Sequence, residues 1–119
     1  MAEKVKDRRT ASRVEGNFGA AITSTDSEIE VRVRNISMSG LLLLSPKRVP
    51  EMTIVGMRLV LPAPGQPDQT WSFDITGAVV RCEPTRDDGK DVFELAVFFT
   101  DMPPETRSAV QQFIASRVG

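Results

Sequence analysis

The chain has 119 residues, 40% hydrophobic and 26% charged, with a formal net charge of -1. This length and composition predict one globular domain with a single core. The charge balance excludes a protein whose whole surface binds nucleic acid polymers, because such a surface is strongly basic.

The residues that carry most enzyme and metal chemistry are missing. Histidine is absent and Cys82 is the only cysteine, which excludes Ser–His and Cys–His nucleophile pairs and a structural zinc site. We therefore expect no enzymatic activity, no catalytic residues, no metal and no cofactor. One cysteine permits no intrachain disulfide, and the sequence shows neither a secretory signal nor an apolar run of about 18 residues. These features favour a cytoplasmic protein without a membrane span.

The chain begins with a polar, charged segment at residues 1–17. Within it, "RRTASR" (8–13) places Arg8, Arg9 and Arg13 within six positions. No helix or strand periodicity surrounds them, so we predict a flexible arm at 1–17 and one folded domain at 18–119. Arginines on a terminal arm are most often solvated charge without a ligand, and that alternative stays open at this point.

Alternating and apolar runs follow the arm. In "SEIEVRVRNIS", Ile29, Val31 and Val33 alternate with charged residues, which predicts a half-buried strand. "LLLLS", flanked by Gly40 and Pro46, favours a strand buried on both faces over a helix fragment. Gly77 predicts a bulge within its strand, and Asp-Asp-Gly predicts a hairpin turn. Six strands are expected in all, at 18–24, 27–37, 41–45, 56–62, 71–82 and 92–100.

The last 19 residues predict a helix. Asp101 can cap it, the following prolines suit its first turn, and Val110, Phe113, Ile114 and Arg117 lie on one side. Short strands joined by turns and followed by one helix predict an antiparallel barrel or sandwich. With a single apolar stripe, the helix is expected to pack against the barrel or across its open end.

A polar motif separates two of the strands. "NISMSG" (35–40) combines Asn35, Ser37, Ser39 and Gly40, which are turn residues and often no more than that. Together with the arginines they suit a guanine nucleotide. An arginine fork binds phosphate or guanine O6 and N7, an amide can bond the remaining base edge, and serine hydroxyls can bond phosphate.

The pair Arg-Arg-x-x-x-Arg and Asn-x-Ser-x-x-Gly, about 20 residues apart, resembles the PilZ domain family of bacterial cyclic di-GMP receptors. "GAVVRC" and "FELAVFF" also resemble late strands of that family, and the resemblance extends over roughly residues 5–117. It implies a six-stranded antiparallel β-barrel with a C-terminal helix. It also implies an N-terminal arm that folds over one barrel face when the dinucleotide binds.

The resemblance assigns roles to the motif residues. Arg9 and Arg13 would contact the guanines and phosphates of cyclic di-GMP. Asn35 and Ser37 would lie on the barrel surface and would form hydrogen bonds with the ligand. Gly40 would keep the turn in shape.

Two more positions matter in this comparison. Arg8, directly before the Arg-x-x-x-Arg core, resembles the variant that accepts an intercalated ligand dimer. Ala96 stands where the family usually has glycine in its closing strand, so this position departs from the pattern. The resemblance further implies an effector protein that binds the ordered arm and belongs to motility, pilus, chemotaxis or exopolysaccharide machinery.

Two other functions remain open from the sequence. One is a PilZ-like interaction module that does not bind nucleotide. The other is a barrel that binds single-stranded nucleic acid, which would need a basic groove with exposed aromatic residues. Strand parity instead favours core positions for the aromatic residues Trp71, Phe73, Phe93, Phe98 and Phe99.

Overall fold

The alternation of apolar and charged residues around Val31 and Val33 produces a strand with one buried face. The computed structural model describes residues 14–23 and 28–118. In it, β2 (Ile29–Ile36) buries Ile29, Val31 and Val33 and exposes the charged residues between them. The apolar face points into the core, because successive side chains of a strand point to opposite sides.

The remaining strands pair around this core into a closed barrel. All strand pairs are antiparallel, the order is β1-β2-β3-β6-β5-β4, and β1 closes the barrel by pairing with both β2 and β4. The six-stranded antiparallel fold predicted from the sequence is therefore confirmed. Beside β2, the strands are β1 (Val14–Ile22), β3 (Gly40–Ser45), β4 (Ile54–Ala63), β5 (Gln66–Asp87) and β6 (Lys90–Asp101).

Several strands are longer than predicted. β1 begins at Val14, four residues before the expected strand at 18–24. β5 continues through the charged run to Asp87, because its ladder with β6 extends to the Asp87–Lys90 pair. The turn itself contains only Asp88 and Gly89, with φ angles of 53° and 76°. Asp-Gly suits this position since both central residues of such a turn need positive φ.

Other local predictions agree with the structure. The β5–β6 ladder shifts register beside Gly77, where a bulge was expected. β3 is buried along nearly its whole length, as predicted for "LLLLS". Cys82 is partly buried against the core.

The C-terminal helix α1 (Pro104–Val118) packs against β1 and β4. Its apolar stripe of Val110, Phe113 and Ile114 is buried, as predicted. Phe113 meets Phe18 of β1 edge to face at 5.3 Å between ring centroids. The guanidinium of Arg117 lies 5.0 Å from the Phe113 centroid, which adds a cation–π contact to the packing.

The expected cap of this helix is wrong. Asp101 is the last residue of β6 and pairs with Thr76 of β5, so its backbone is extended. The helix instead begins at Pro104, whose fixed φ suits a first helical position. In the part of the chain that the structure describes, no helix is long and apolar enough to cross a membrane.

Candidate ligand-binding site

The structure brings the predicted barrel residues together at one end of β2. Asn35 is the second-last residue of β2, and Ser37 is the first residue after that strand. Gly40 is the first residue of β3. Arg8, Arg9 and Arg13 lie outside the described residues. The chain enters the described part at Val14, which pairs with Ile36 of β2. The first described residue after the arginine motif therefore lies directly beside the 35–40 motif.

Ser37 organises the turn between β2 and β3. Its side chain is 1% exposed, and its backbone N–H donates to the Gly40 carbonyl at 2.8 Å. The Ser37 Oγ accepts from the Ser39 N–H at 3.3 Å and lies 3.1 Å from the Ser39 Oγ. A ligand contact by Ser37 stays a prediction, whereas its role in shaping the turn is visible.

Replacing Ser37 with alanine is expected to lower the free energy of unfolding by about 1 kcal/mol. The reason is that the change removes the hydroxyl that bonds the Ser39 amide. Thermal unfolding followed by circular dichroism measures this change. Alanine at Ser72, whose side chain is exposed on β5, is the control and should leave the unfolding temperature nearly unchanged. Equal unfolding temperatures for the two variants would contradict a structural role for the Ser37 hydroxyl.

Position 40 requires glycine because β3 and β6 approach each other closely there. It pairs with Phe98 of β6, and a Cβ atom added at Gly40 would lie 2.2 Å from the Val97 carbonyl oxygen. The Phe99 N–H also donates to the Ser39 carbonyl at 2.9 Å, which ties the turn to β6. Gly40 therefore keeps the turn against β6 because it has no side chain.

Asn35 carries an unsatisfied acceptor. Its side chain is partly exposed, but its Oδ1 atom is buried and has no hydrogen-bond partner among the described residues. A buried polar atom without a partner costs about 1–3 kcal/mol. A donor supplied by a ligand would recover this energy.

The Asn35 side chain lines a pocket of about 200 Å³ on the outer surface of the barrel. The pocket is bounded by Gly16, Arg34, Asn35, Leu42 and Glu94. It combines one cationic, one anionic and one amide side chain. Glu94 is not among the residues that the sequence predicted for the site. In the sequence, only the alternation of residues in the closing strand indicates that Glu94 points outward.

The position that departs from the family pattern lies on the same surface. Leu42 of β3 pairs with both Asn35 of β2 and Ala96 of β6, and Ala96 in turn pairs with Arg81 of β5. Residues that pair directly across strands share one face of a sheet. The Ala96 methyl group therefore faces outward, two strands from Asn35.

The tip of the β5–β6 hairpin forms a rim beside this pocket. Asp87 at the end of β5 makes an ion pair with Arg32 of β2. A second cavity of about 200 Å³ lies between Gly16, Arg32, Arg34 and Asp87. Arg32 thus connects β2 to the end of β5 through a residue 55 positions away in the sequence.

The expectation that Phe98 belongs to the core is wrong. Its side chain is 53% exposed, whereas the neighbouring Phe99 is 9% exposed. Because parity alternates, two consecutive phenylalanines cannot both point inward. Phe98 pairs with Ala78 of β5, which pairs with Ile54 of β4, itself 60% exposed. These three residues, Ile54, Ala78 and Phe98, form an outward row across three strands, here called the apolar row.

No group of three or more acidic, cysteine or histidine side chains within 14–23 and 28–118 is arranged to hold a metal ion. The candidate site is a pocket on a closed barrel, beside a turn of the form Asn-x-Ser-x-x-Gly and near Val14, the first described residue after the arginine motif.

These features define a PilZ-type barrel, and the family model of the PilZ domain matches residues 7–116. The chain belongs to the PilZ domain family. No curated protein sequence matches the chain. The matched range includes all three arginines and the 35–40 motif.

Two solved structures share the fold. The inhibitor of motility from Bacillus subtilis (MotI/DgrA) superimposes with a TM-score of 0.77 at 17% identity. The alignment covers 94% of this chain and 52% of MotI, so this chain spans about half of that protein. The PilZ domain of YcgR from Escherichia coli, solved with cyclic di-GMP, has a TM-score of 0.68 at 16% identity. That alignment covers 94% of this chain and 92% of the YcgR domain.

Proposed function

We propose that this protein is a bacterial receptor for cyclic di-GMP that acts by binding and not by catalysis. The observation that carries the proposal is the buried Asn35 Oδ1, an acceptor with no donor among the described residues, in a pocket near the start of β1, which follows the arginine motif. The arm supplies the cations that a dianionic ligand needs. The ligand in the structurally similar YcgR domain supports the same chemistry.

Binding in this proposal fixes the arm over the pocket. Fixing a residue costs about 1–2 kcal/mol in backbone entropy. Each charge-assisted hydrogen bond from an arginine to a phosphate or to guanine contributes about 1.5–3 kcal/mol. Arg8, Arg9 and Arg13 can each form more than one such bond, so their combined contribution can exceed the ordering cost.

The signal then passes to an effector protein in the cytoplasm. The fixed arm adds a surface beside the 35–40 turn, and Phe98 of the apolar row pairs with Gly40 at the end of that turn. A partner that contacts the arm can therefore also contact exposed apolar side chains. The similarity to a B. subtilis inhibitor of motility supports motility machinery as the target. Pilus, chemotaxis and exopolysaccharide machinery are the other targets consistent with the family.

Calorimetric titration with cyclic di-GMP tests the proposal, with GTP and cyclic GMP as controls. We expect selective binding at micromolar or lower Kd, which corresponds to about -8 kcal/mol or stronger. Two ligands per chain would support the role of Arg8 in holding a ligand dimer. An absence of both heat and a thermal shift would overturn the receptor function and favour the PilZ-like interaction module.

Asn35→Ala is expected to weaken cyclic di-GMP binding about tenfold, because the amide that bonds the base edge is removed. The free energy of unfolding should not fall, since the lost Oδ1 has no partner among the described residues. Titration and thermal unfolding of the same preparation measure both effects. Alanine at the exposed helix residue Gln112 is the control. Unchanged affinity in Asn35→Ala would show that the pocket does not hold the ligand.

A further inference from the structure

Glu94 is an anionic residue in a site proposed for an anionic ligand. It lies on β6, where Leu95 and Val97 point into the core, so Glu94 points outward. Its partly buried side chain lines the pocket together with Asn35 and Arg34. Among the described residues, the Glu94 carboxylate makes no ion pair or hydrogen bond.

The position of Glu94 is unfavourable for the barrel alone. It pairs directly across β5–β6 with Glu83, a like charge whose repulsion is partly offset by the ion pair between Glu83 and Arg81 at 4.0 Å. It would also repel the phosphates of cyclic di-GMP. A partly buried carboxylate with no ion pair among the described residues is available for an interaction with the ligand.

The guanine base provides that interaction. Its Watson–Crick edge presents two donor groups, N1–H and the 2-amino group, whereas O6 and N7 are acceptors. The pocket offers acceptors in Glu94 and in the Asn35 Oδ1, which bonds none of the described residues, and the exposed Arg34 offers donors. Adenine carries an acceptor at N1 and no 2-amino group, so the same acceptors would face no donor. The buried Asn35 Oδ1 would then be left unpaired, which discriminates against the wrong ligand.

We propose that Glu94 determines the guanine specificity of the pocket by accepting hydrogen bonds from N1–H and the 2-amino group. The inference rests on the proposed function, since it assigns a role within the cyclic di-GMP site. It makes Glu94 a base-reading residue and leaves the phosphates to the arginine arm.

The test compares Glu94→Gln with Glu83→Gln. Both variants remove one negative charge from the same cross-strand pair, but only Glu94 lines the pocket. The control also loses the exposed ion pair between Glu83 and Arg81, which contributes little to stability. Each protein is titrated with cyclic di-GMP and with cyclic di-inosine monophosphate, which lacks the 2-amino groups. Thermal unfolding confirms that both variants fold.

We expect the wild-type protein to prefer cyclic di-GMP. Glu94→Gln should bind cyclic di-GMP about tenfold more weakly and change its affinity for the inosine analogue by less than about threefold. Glu83→Gln should keep the wild-type preference. An unchanged preference in Glu94→Gln, or tighter binding of both ligands, would overturn the role of Glu94 while leaving the receptor function intact. Failure of the wild-type protein to bind either dinucleotide would overturn the receptor function itself.

Discussion

Alanine in place of Arg9 or Arg13 is expected to weaken cyclic di-GMP binding by about a hundredfold or more. Each guanidinium can form a bidentate contact with a phosphate or with guanine O6 and N7. The loss of two charge-assisted bonds removes about 3–6 kcal/mol, of which each 1.4 kcal/mol is a tenfold change in Kd. Calorimetric titration of the two variants measures this loss.

The barrel should fold normally in both arginine variants, because the described barrel is closed by strand pairs that begin at Val14. Arg107→Ala, an exposed change on α1, is the charge-matched control and should retain the wild-type Kd. Near-wild-type affinity in both Arg9→Ala and Arg13→Ala would remove the arginine motif from the binding mechanism. If the pocket of Asn35 and Glu94 still held cyclic di-GMP, residues outside the arginine motif would then have to bind its phosphates.

Gly40→Ala is expected to destabilise the fold by about 3 kcal/mol. The new methyl group would lie 2.2 Å from the Val97 carbonyl oxygen and 3.2 Å from the Phe98 Cα. Both atoms belong to the β6 backbone, so no side-chain rotation relieves the clash and the β3–β6 ladder must shift. Thermal or urea unfolding should show the effect as a lower midpoint.

Gly19→Ala is the matched control for this prediction. It is also a glycine in a barrel strand, but a Cβ atom there would meet nothing within 4 Å. Its unfolding temperature should equal or slightly exceed that of the wild-type protein, because alanine restricts the unfolded chain more than glycine does. Similar stabilities for Gly40→Ala and Gly19→Ala would contradict the close approach of β3 and β6.

The 35–40 motif therefore combines two kinds of residue. Asn35 presents to the pocket an acceptor that has no partner in the part of the chain that the structure describes. Gly40, in contrast, serves the strand packing, and Ser37 bonds the turn that joins them. A substitution at Gly40 would disturb ligand binding indirectly, by moving the turn. Stability measurements are thus needed beside every titration of a motif variant.

The sequence alone determined the local features of this protein. Within each element, one burial pattern sets the order of apolar residues. It produces the period-two alternation in β2, the uninterrupted apolar run in β3 and the spacing of Val110, Phe113 and Ile114 in the helix. Asp-Gly at the β5–β6 turn follows from its backbone angles. The family could also be predicted, because its motifs are short and contiguous, whereas ligand binding by the motif residues stays a prediction.

Only the tertiary structure decided features that depend on distant pairs. Three such features join residues far apart in sequence. They are the pairing of β1 with β4, the Arg32–Asp87 ion pair and the pocket that Glu94 and Asn35 line together. No local pattern encodes the register between such strands. Helix capping by Asp101 failed for the same reason, since a long-range pair with Thr76 keeps that residue in a strand. Phe98 is exposed because its neighbours, Val97 and Phe99, occupy the inward positions of β6.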